Sequence, residues 1–344
     1  MTQTNFGKWK KTGLTLGQGG QGVVYEVVSV ENPDGPRYAM KVLGKSRPAK
    51  AVERFHREIE ALKNLDHPNI LKVIDHSDLS SENHFVVVEL LEKADTLQTL
   101  LQERKSPFFA DPMKGLDFFM VLLDVIGECA EHGIVHRDLS PANVLFLSDG
   151  KIKVIDFGLC QFEDAERLTL IDEGVGTPNY MAPETESGSD QAITFKADLY
   201  SAGKLLWSGM TNQFAFARES PVFTSKSLCK VFPEQPATWH LHHIFQNTVR
   251  RRSDDRFPSV EKALQETLAV RNLILGRYPP LELFNSRCPT CGFGTLSKFE
   301  QSHSVFGNPN PQGIVALQCT HCHVCFAIDM GKLNAEIERR KKLE

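Results

Sequence analysis

The chain has 344 residues, of which 41% are hydrophobic and 24% charged, enough for one large domain with a sizeable core and a small module beside it. A formal charge of -4 at pH 7 gives no default attraction to nucleic acid or to an acidic membrane surface. The polar stretch Met1–Lys11 does not read as a signal peptide, and no apolar run is long enough to span a bilayer. The expected location is therefore the cytoplasm, with no membrane partner.

The first third reads as strands. Thr12–Leu16 and Gly22–Val30 flank a glycine-rich turn, and Tyr38–Leu43 comes after a Pro/Gly connector at Asn32–Pro36. The spacing of Phe55, Ile59 and Leu62 predicts a helix over Ala49–Leu65. Ile70–Asp75 and Phe85–Leu90 return to strand character. From Thr96 the period is mostly helical, with a long helix at Lys114–His132 and further ones at Phe195–Gly209, Trp239–Arg250 and Ser259–Leu275. Strands first and helices afterwards describe an α+β protein better than an alternating α/β sheet. Composition shifts at Gly276–Asn285, where Tyr278-Pro279-Pro280 reads as a linker. The expected organisation is an extension at 1–11, a main domain at 12–275, the linker at 276–285, a small β module at 286–330 and a charged helical tail at 331–344.

Residues 17–24, Gly17-Gln18-Gly19-Gly20-Gln21-Gly22-Val23-Val24, match G-x-G-x-x-G-x-V. Glycines let backbone N–H groups approach phosphate oxygens unobstructed. Alone this pattern is equally a hairpin turn; the order of the other motifs along the chain decides. Ala39-Met40-Lys41 comes on a strand, Phe55-His56-Arg57-Glu58 on a helix, then His136-Arg137-Asp138-Leu139-Ser140-Pro141-Ala142-Asn143, Asp156-Phe157-Gly158 and Ala182-Pro183-Glu184.

In that order the chain resembles the eukaryotic-type (Hanks-type) serine/threonine protein kinases over about residues 12 to 272. The resemblance implies an α+β bilobal kinase fold, with a β-rich N-lobe and a helical C-lobe. It also implies ATP and a protein substrate as partners. Phosphoryl transfer needs alignment and charge neutralisation. By the resemblance Lys41 holds the α- and β-phosphates and Glu58 pairs with Lys41. Asp156 and Asn143 supply oxygen ligands to Mg2+, and Asp138 accepts or orients the substrate hydroxyl. His136 is better read as bracing this loop than as a base. Leu16, Val24, Ala39 and Leu145 would enclose the adenine and Gly17, Gly19 and Gly22 the phosphates. Val88 would stand as a small gatekeeper, with Glu89 and Leu91 giving backbone hydrogen bonds to the base.

Residues 176–184, Gly176-Thr177 through Ala182-Pro183-Glu184, look like the P+1 segment of serine/threonine kinases and argue against a small-molecule substrate. Asp198–Gly203 resembles the helix that anchors the catalytic loop, and Arg256 the partner of Glu184; both are structural. Two positions depart from the family. Ser140 stands where a lysine usually contacts the γ-phosphate, and losing such a contact costs roughly two or three orders of magnitude in rate. The usual activating phosphorylation position, four residues before Thr177, is Glu173, preceded by Asp172. Arg137 implies a basic pocket that either acidic residue could fill, an exposed acidic loop being the alternative. Thr169 is a candidate autophosphorylation site. A nucleotide-binding scaffold without catalysis is the competing reading.

Five of the eight cysteines, Cys288, Cys291, Cys319, Cys322 and Cys325, crowd into the last quarter. Cys288-x-x-Cys291 and Cys319-x-x-Cys322 have the spacing of two knuckles around one tetrahedral Zn2+, and a module this small needs such a staple. The pattern resembles zinc ribbons. Cys322-x-x-Cys325, His321 and His323 leave the second knuckle open. Cys319 with Cys322 is preferred because the strand Ile314–Gln318 runs into it and Cys325 then falls on the return strand. A redox disulfide pair is the rival. The module suits docking or stability, with nucleic acid less favoured, since Glu336, Glu338 and Glu344 dilute the basic run 339–342 and no aromatic row accompanies it. Neither source nor oligomeric state is legible.

Overall fold

The computed structural model describes residues 6–19, 22–44, 49–91, 93–157, 161–162, 179–185, 192–216, 221, 225–275, 296–298, 314–319 and 325–329. By backbone contacts the chain divides into two units: Met1–Leu100 with Val125–Asp172, and Leu101–Asp124 with Glu173–Glu344.

The first unit is built on a five-stranded antiparallel sheet. Its strands are β1 (Trp9–Gly19), β2 (Gly22–Ser29), β3 (Tyr38–Leu43), β4 (Val73–His76) and β5 (Phe85–Glu89), in the order β1-β2-β3-β5-β4. Alternation splits its apolar residues between two cores. Leu43 and Val86 pack with Phe55 and Ile59 of helix α1 (Ala49–Asn64), whereas Val27, Met40 and Val87 pack with Phe6 and Trp9. The sheet therefore begins three residues before the strand expected at Thr12, and Phe6 and Trp9 are part of its core at 3% and 7% exposure. Trp9 Nε1 donates to Asp75 Oδ2 at 2.6 Å, and the Lys11 ammonium lies 3.3 Å from the centre of the Tyr25 ring. A polar-looking segment with two aromatic residues reads as exposed until a sheet face needs covering.

A second sheet of this unit runs β6-β8-β9, from β6 (Ala94–Thr96), β8 (Val144–Leu147) and β9 (Ile152–Val154), while β7 (Ile134–Val135) pairs with β10 (Gln161–Phe162). Val154 N donates to Asn69 O at 2.7 Å and Asn69 Nδ2 to Ile152 O at 2.7 Å. These bonds join β9 to the segment that leads into β4.

In the second unit α4 (Phe195–Thr211) is buried along nearly its whole length. Thr194 accepts from Lys196 N to cap its start, and Asn212 ends it in the left-handed region at φ 52. Gly209 is required there, because a Cβ would collide with the Phe108 ring. The long helix α3 (Pro112–Glu131) starts on an Asp111 cap whose Oδ1 accepts from Met113 N and Lys114 N, with Pro112 at its first position. The second unit also holds α5 (Leu228–Val231), α6 (His242–Gln246) and α7 (Val260–Ile274), while α2 (Leu97–Gln102) and α3 have residues in both units. The helix expected at Trp239–Arg250 is instead a 3-10 turn, Pro236–Leu241, followed by the short α6. Asn247 Nδ2 and Thr248 Oγ1 bond back to His243 O and Ile244 O, which ends the helix early. Likewise the strand expected at Ile70–Asp75 starts only at Val73; Ile70 makes a single bridge to Val154.

Toward the C-terminus three antiparallel strands are described: β11 (Leu296–Lys298), β12 (Ile314–Cys319) and β13 (Cys325–Asp329), with Gln318 opposite Cys325. The strand runs into Cys319 and Cys325 opens the return strand, as the spacing leads one to expect. Cys288, Cys291, Cys322, His321 and His323 lie outside the described residues, as do the linker and the tail. No helix among the described residues is long and apolar enough to cross a membrane.

Candidate active site

All residues of this site belong to the first unit. Lys41 sits on β3 with Val24 beside it on β2 and Val86 on β5. Its ammonium lies 3.0 and 3.1 Å from the two oxygens of Glu58 on α1, and 3.7 Å from Asp156 Oδ1. Burial by itself would lower the Lys41 pKa, but the charges of Glu58 and then Asp156 outweigh it and hold the group above its ordinary value. Lys41 is thus a fixed cation with Glu58 behind it and Asp156 beside it.

The loop after β7 carries Asp138, and the 3-10 turn Pro141–Asn143 brings the amide back to it. Asn143 Nδ2 donates to Asp138 O at 2.8 Å and to Asp138 Oδ2 at 3.1 Å. Asn143 O accepts from Ile155 N at 3.0 Å, so the loop and the strand leading to Asp156 are joined. His136, 1% exposed, accepts from Asp138 N through Nδ1 at 3.3 Å and donates from Nε2 to Ile155 O at 3.3 Å, with its ring 4.4 Å from Phe157. Burial drives its pKa down to about 4, which makes it a neutral brace. Arg137 and Asp156 both adopt left-handed backbone, at φ 66 and φ 62. Such strain persists only where surrounding contacts enforce it, and it concentrates at functional sites.

The residues fit a hard divalent cation. Asp156 offers a carboxylate, and Asn143 spends its amide N–H groups on Asp138, which turns the amide oxygen the other way.

Above this cluster Leu16, Val24 and Ala39 lie on three adjacent strands, and Ala39 pairs with Val88. Leu16 is 40% exposed. Leu145 on β8 pairs with Thr96 and Lys153. Gly17, Gly19 and Gly22 lie where β1 and β2 meet, and a Cβ on Gly22 would strike the Val42 carbonyl. The Glu89 backbone N–H is committed to Lys72 O at 3.1 Å, which leaves its carbonyl for a base; Leu91 comes two residues after the end of β5.

Lys153 belongs to none of the sequence motifs. Its buried ammonium donates to Glu89 Oε1 at 2.5 Å and to Ile70 O at 2.9 Å, and Glu89 Oε1 also accepts from Lys72 N at 2.9 Å. A lysine inside the apolar strand Ile152–Val154, just before Asp156, is the signal that could have found it. Ser140 is 2% exposed, so its hydroxyl is not presented at the surface. Thr169, Glu173 and Thr177 lie outside the described residues.

In the second unit Glu184 and Arg256 form the ion pair expected of them, with Arg256 Nη2 2.8 Å from Glu184 Oε2. Ser201 Oγ donates to Tyr180 O at 2.8 Å, and the Tyr180 hydroxyl lies 2.8 Å from Ser208 Oγ, which ties the segment before Glu184 to α4.

Residues 11–266 match the family model of the protein kinase domain, and the chain belongs to that family. Among curated relatives it is 32% identical over 262 residues to the serine/threonine-protein kinase PkaA of Streptomyces coelicolor, covering 72% of this chain and 47% of that protein. It is 28% identical over 231 residues to the probable serine/threonine-protein kinase PknB of Lactococcus lactis, covering 65% and 35%. With the CBL-interacting serine/threonine-protein kinase 9 of Arabidopsis thaliana it shares 30% over 234 residues, covering 67% and 50%. The chain thus spans only a third to a half of these relatives' length. Among solved structures, the Mycobacterium tuberculosis PknI kinase domain superposes with a TM-score of 0.59 at 22% identity, over 78% of this chain and 99% of that one, which supports the fold.

Proposed function

We propose that the chain is a serine/threonine protein kinase that transfers the γ-phosphate of Mg-ATP to protein hydroxyls, its own included. The observation that carries this reading is the Lys41–Glu58 ion pair with Asp156 at 3.7 Å, beside an Asp138 held by Asn143. Lys41 binds phosphate oxygens, Asp138 accepts or orients the substrate hydroxyl, and Asp156 and Asn143 hold Mg2+. When bound, the ion neutralises charge on the phosphate oxygens. Leu16, Val24, Ala39 and Leu145 hold the base, and the carbonyl of Glu89 and the backbone of Leu91 give it direction. Thr177 belongs to the segment that receives the substrate; Thr169 is the autophosphorylation candidate. Glu173 or Asp172 answers Arg137 and gives basal activity without phosphate there.

The small module binds one structural Zn2+ through Cys288, Cys291, Cys319 and Cys322 and serves docking or stability. The β12–β13 pairing, in which Cys319 ends one strand and Cys325 begins the other, is consistent with this ligand choice. Metal analysis checks it: zinc present in the full chain and lost in Cys288→Ser and Cys319→Ser is expected, and a metal-free folded protein refutes it.

The test of the main reading is label transfer from γ-labelled ATP by the full chain, beside Asp138→Ala and Asp156→Ala. Label in the parent and none in either variant is expected. Label persisting in both removes the proposed site. A second reading, a nucleotide-binding scaffold, draws on Ser140, which brings no cation where kinases usually have one and is buried. Nucleotide binding without label transfer would favour it.

A further inference from the structure

Among the described residues, two side chains of helix α1 that lie two residues apart make polar attachments to the large sheet and its flanking loop. One is Glu58 to Lys41. The other is His56, whose Nε2 lies 3.0 Å from Nδ1 of His84, with ring centroids 5.0 Å apart and planes at 88°. His84 immediately precedes β5, and its carbonyl accepts from Leu43 N at 2.9 Å, at the end of β3. Lys41 is opposite Val86 in the β3–β5 register, so both attachments join one helix to one pair of strands.

We infer that the His56–His84 hydrogen bond is a positioning anchor for α1, setting Glu58 and through it Lys41, and that it opens when both imidazoles are protonated. This rests on the kinase reading. The apolar contacts of Phe55 and Ile59 with Leu43 and Val86 bring the helix to the sheet, but they are non-directional and tolerate small slides. A hydrogen bond with a fixed donor and acceptor does not.

Two facing ring nitrogens share one proton. Adding a single proton to the pair still leaves one donor and one acceptor; adding a second leaves two donors and two like charges facing each other at 3.0 Å. Burial, then His84 on the β5 side and His76 on β4, lowers the His56 pKa below its ordinary 6.5, while Asp78 after β4 and Glu60 on α1 act in the opposite sense. The anchor is therefore closed at neutral pH and opens on acidification below the ordinary histidine range.

Three proteins test this: the parent, His84→Asn and His84→Phe. Asparagine places an acceptor and a donor near the Nδ1 position and does not titrate, whereas phenylalanine keeps a ring and removes both. At neutral pH His84→Phe should lower kcat/KM for ATP by about two- to tenfold, the range one net hydrogen bond carries, and His84→Asn should restore it. Below about pH 6.5 the parent should lose activity more steeply than His84→Asn. Amide exchange over residues 53–60 should quicken in His84→Phe and not in His84→Asn. His56→Gln, which keeps a donor and acceptor near the Nε2 position, should behave as His84→Asn does if His84→Phe fails to fold. Exchange does not depend on phosphoryl transfer. A chain with this exchange pattern and no kinase activity overturns the kinase reading and keeps the anchor. An active kinase with the same exchange and acid profile in all variants overturns the anchor.

Discussion

Each unit holds a glutamate paired with a basic residue, and the two pairs differ in what the cation has left to give. Arg256 and Glu184 are 0% and 1% exposed at their side chains. Beyond the carboxylate, the guanidinium donates to Arg250 O at 3.1 and 2.9 Å and to Lys196 O at 2.7 Å, and lies 5.0 Å from the Tyr200 ring centre. Its donors are spent. Lys41 keeps 20% of its side chain exposed, with Glu58 at 5% behind it, and its other neighbour is the Asp156 carboxylate at 3.7 Å, beyond hydrogen-bond range. A structural pair closes around itself; a working pair leaves one side of the cation for a ligand.

The largest effect that sharpens this contrast is on rate. Lys41→Met should lower phosphoryl transfer about a thousandfold, roughly 4 kcal/mol of transition-state stabilisation, with a smaller loss of stability than Arg256→Ala, since the Lys41 side is partly open to water. A variant that loses stability in proportion to activity would make the Lys41 pair structural as well. Next, Arg256→Ala leaves Glu184 buried without its cation, and urea unfolding should show a loss of about 3 kcal/mol. A loss under about 1 kcal/mol, the scale of a surface pair, would break the comparison.

A third, smaller effect is on pH. Burial lowers the pKa of His136 in the first unit and His240 in the second to about 4. Between pH 6.5 and 4 the unfolded chain takes up protons that the folded chain refuses, so stability falls as pH drops through that window. The slope is at most about 1.4 kcal/mol per pH unit for each histidine. His240→Leu should flatten that fall in unfolding curves recorded along a pH series; an unchanged slope would mean His240 is protonated in the fold. The smallest expected effect is at Lys153. Lys153→Met should release the Glu89 carboxylate and raise KM for ATP by about two- to tenfold, the scale of one hydrogen bond, with kcat nearly kept. A fall in kcat at constant KM would place Lys153 with Asp156 instead.

The meeting of Lys41 with Glu58 and Asp156, and of Asn143 with Asp138, was legible because the order of the motifs restricts the positions. Most helices were legible from their period, but the α3 start at Pro112 on its Asp111 cap was not; the period alone placed it at Lys114. The early end of α6 was not, because Asn247 and Thr248 look like ordinary helix residues until their side chains turn back on the backbone. The inward role of Phe6 and Trp9 was hidden for a similar reason: only the assembled sheet has a face that needs them.

The sequence by itself determined the family and the order of its motifs, since residue types and spacings along the chain are enough to carry both. The tertiary structure decided how each group is employed. It spends the Glu89 carboxylate on Lys153, buries Ser140, keeps His136 neutral and joins His56 to His84. Those outcomes depend on burial and on contacts between residues distant in the chain, and local pattern carries no record of either.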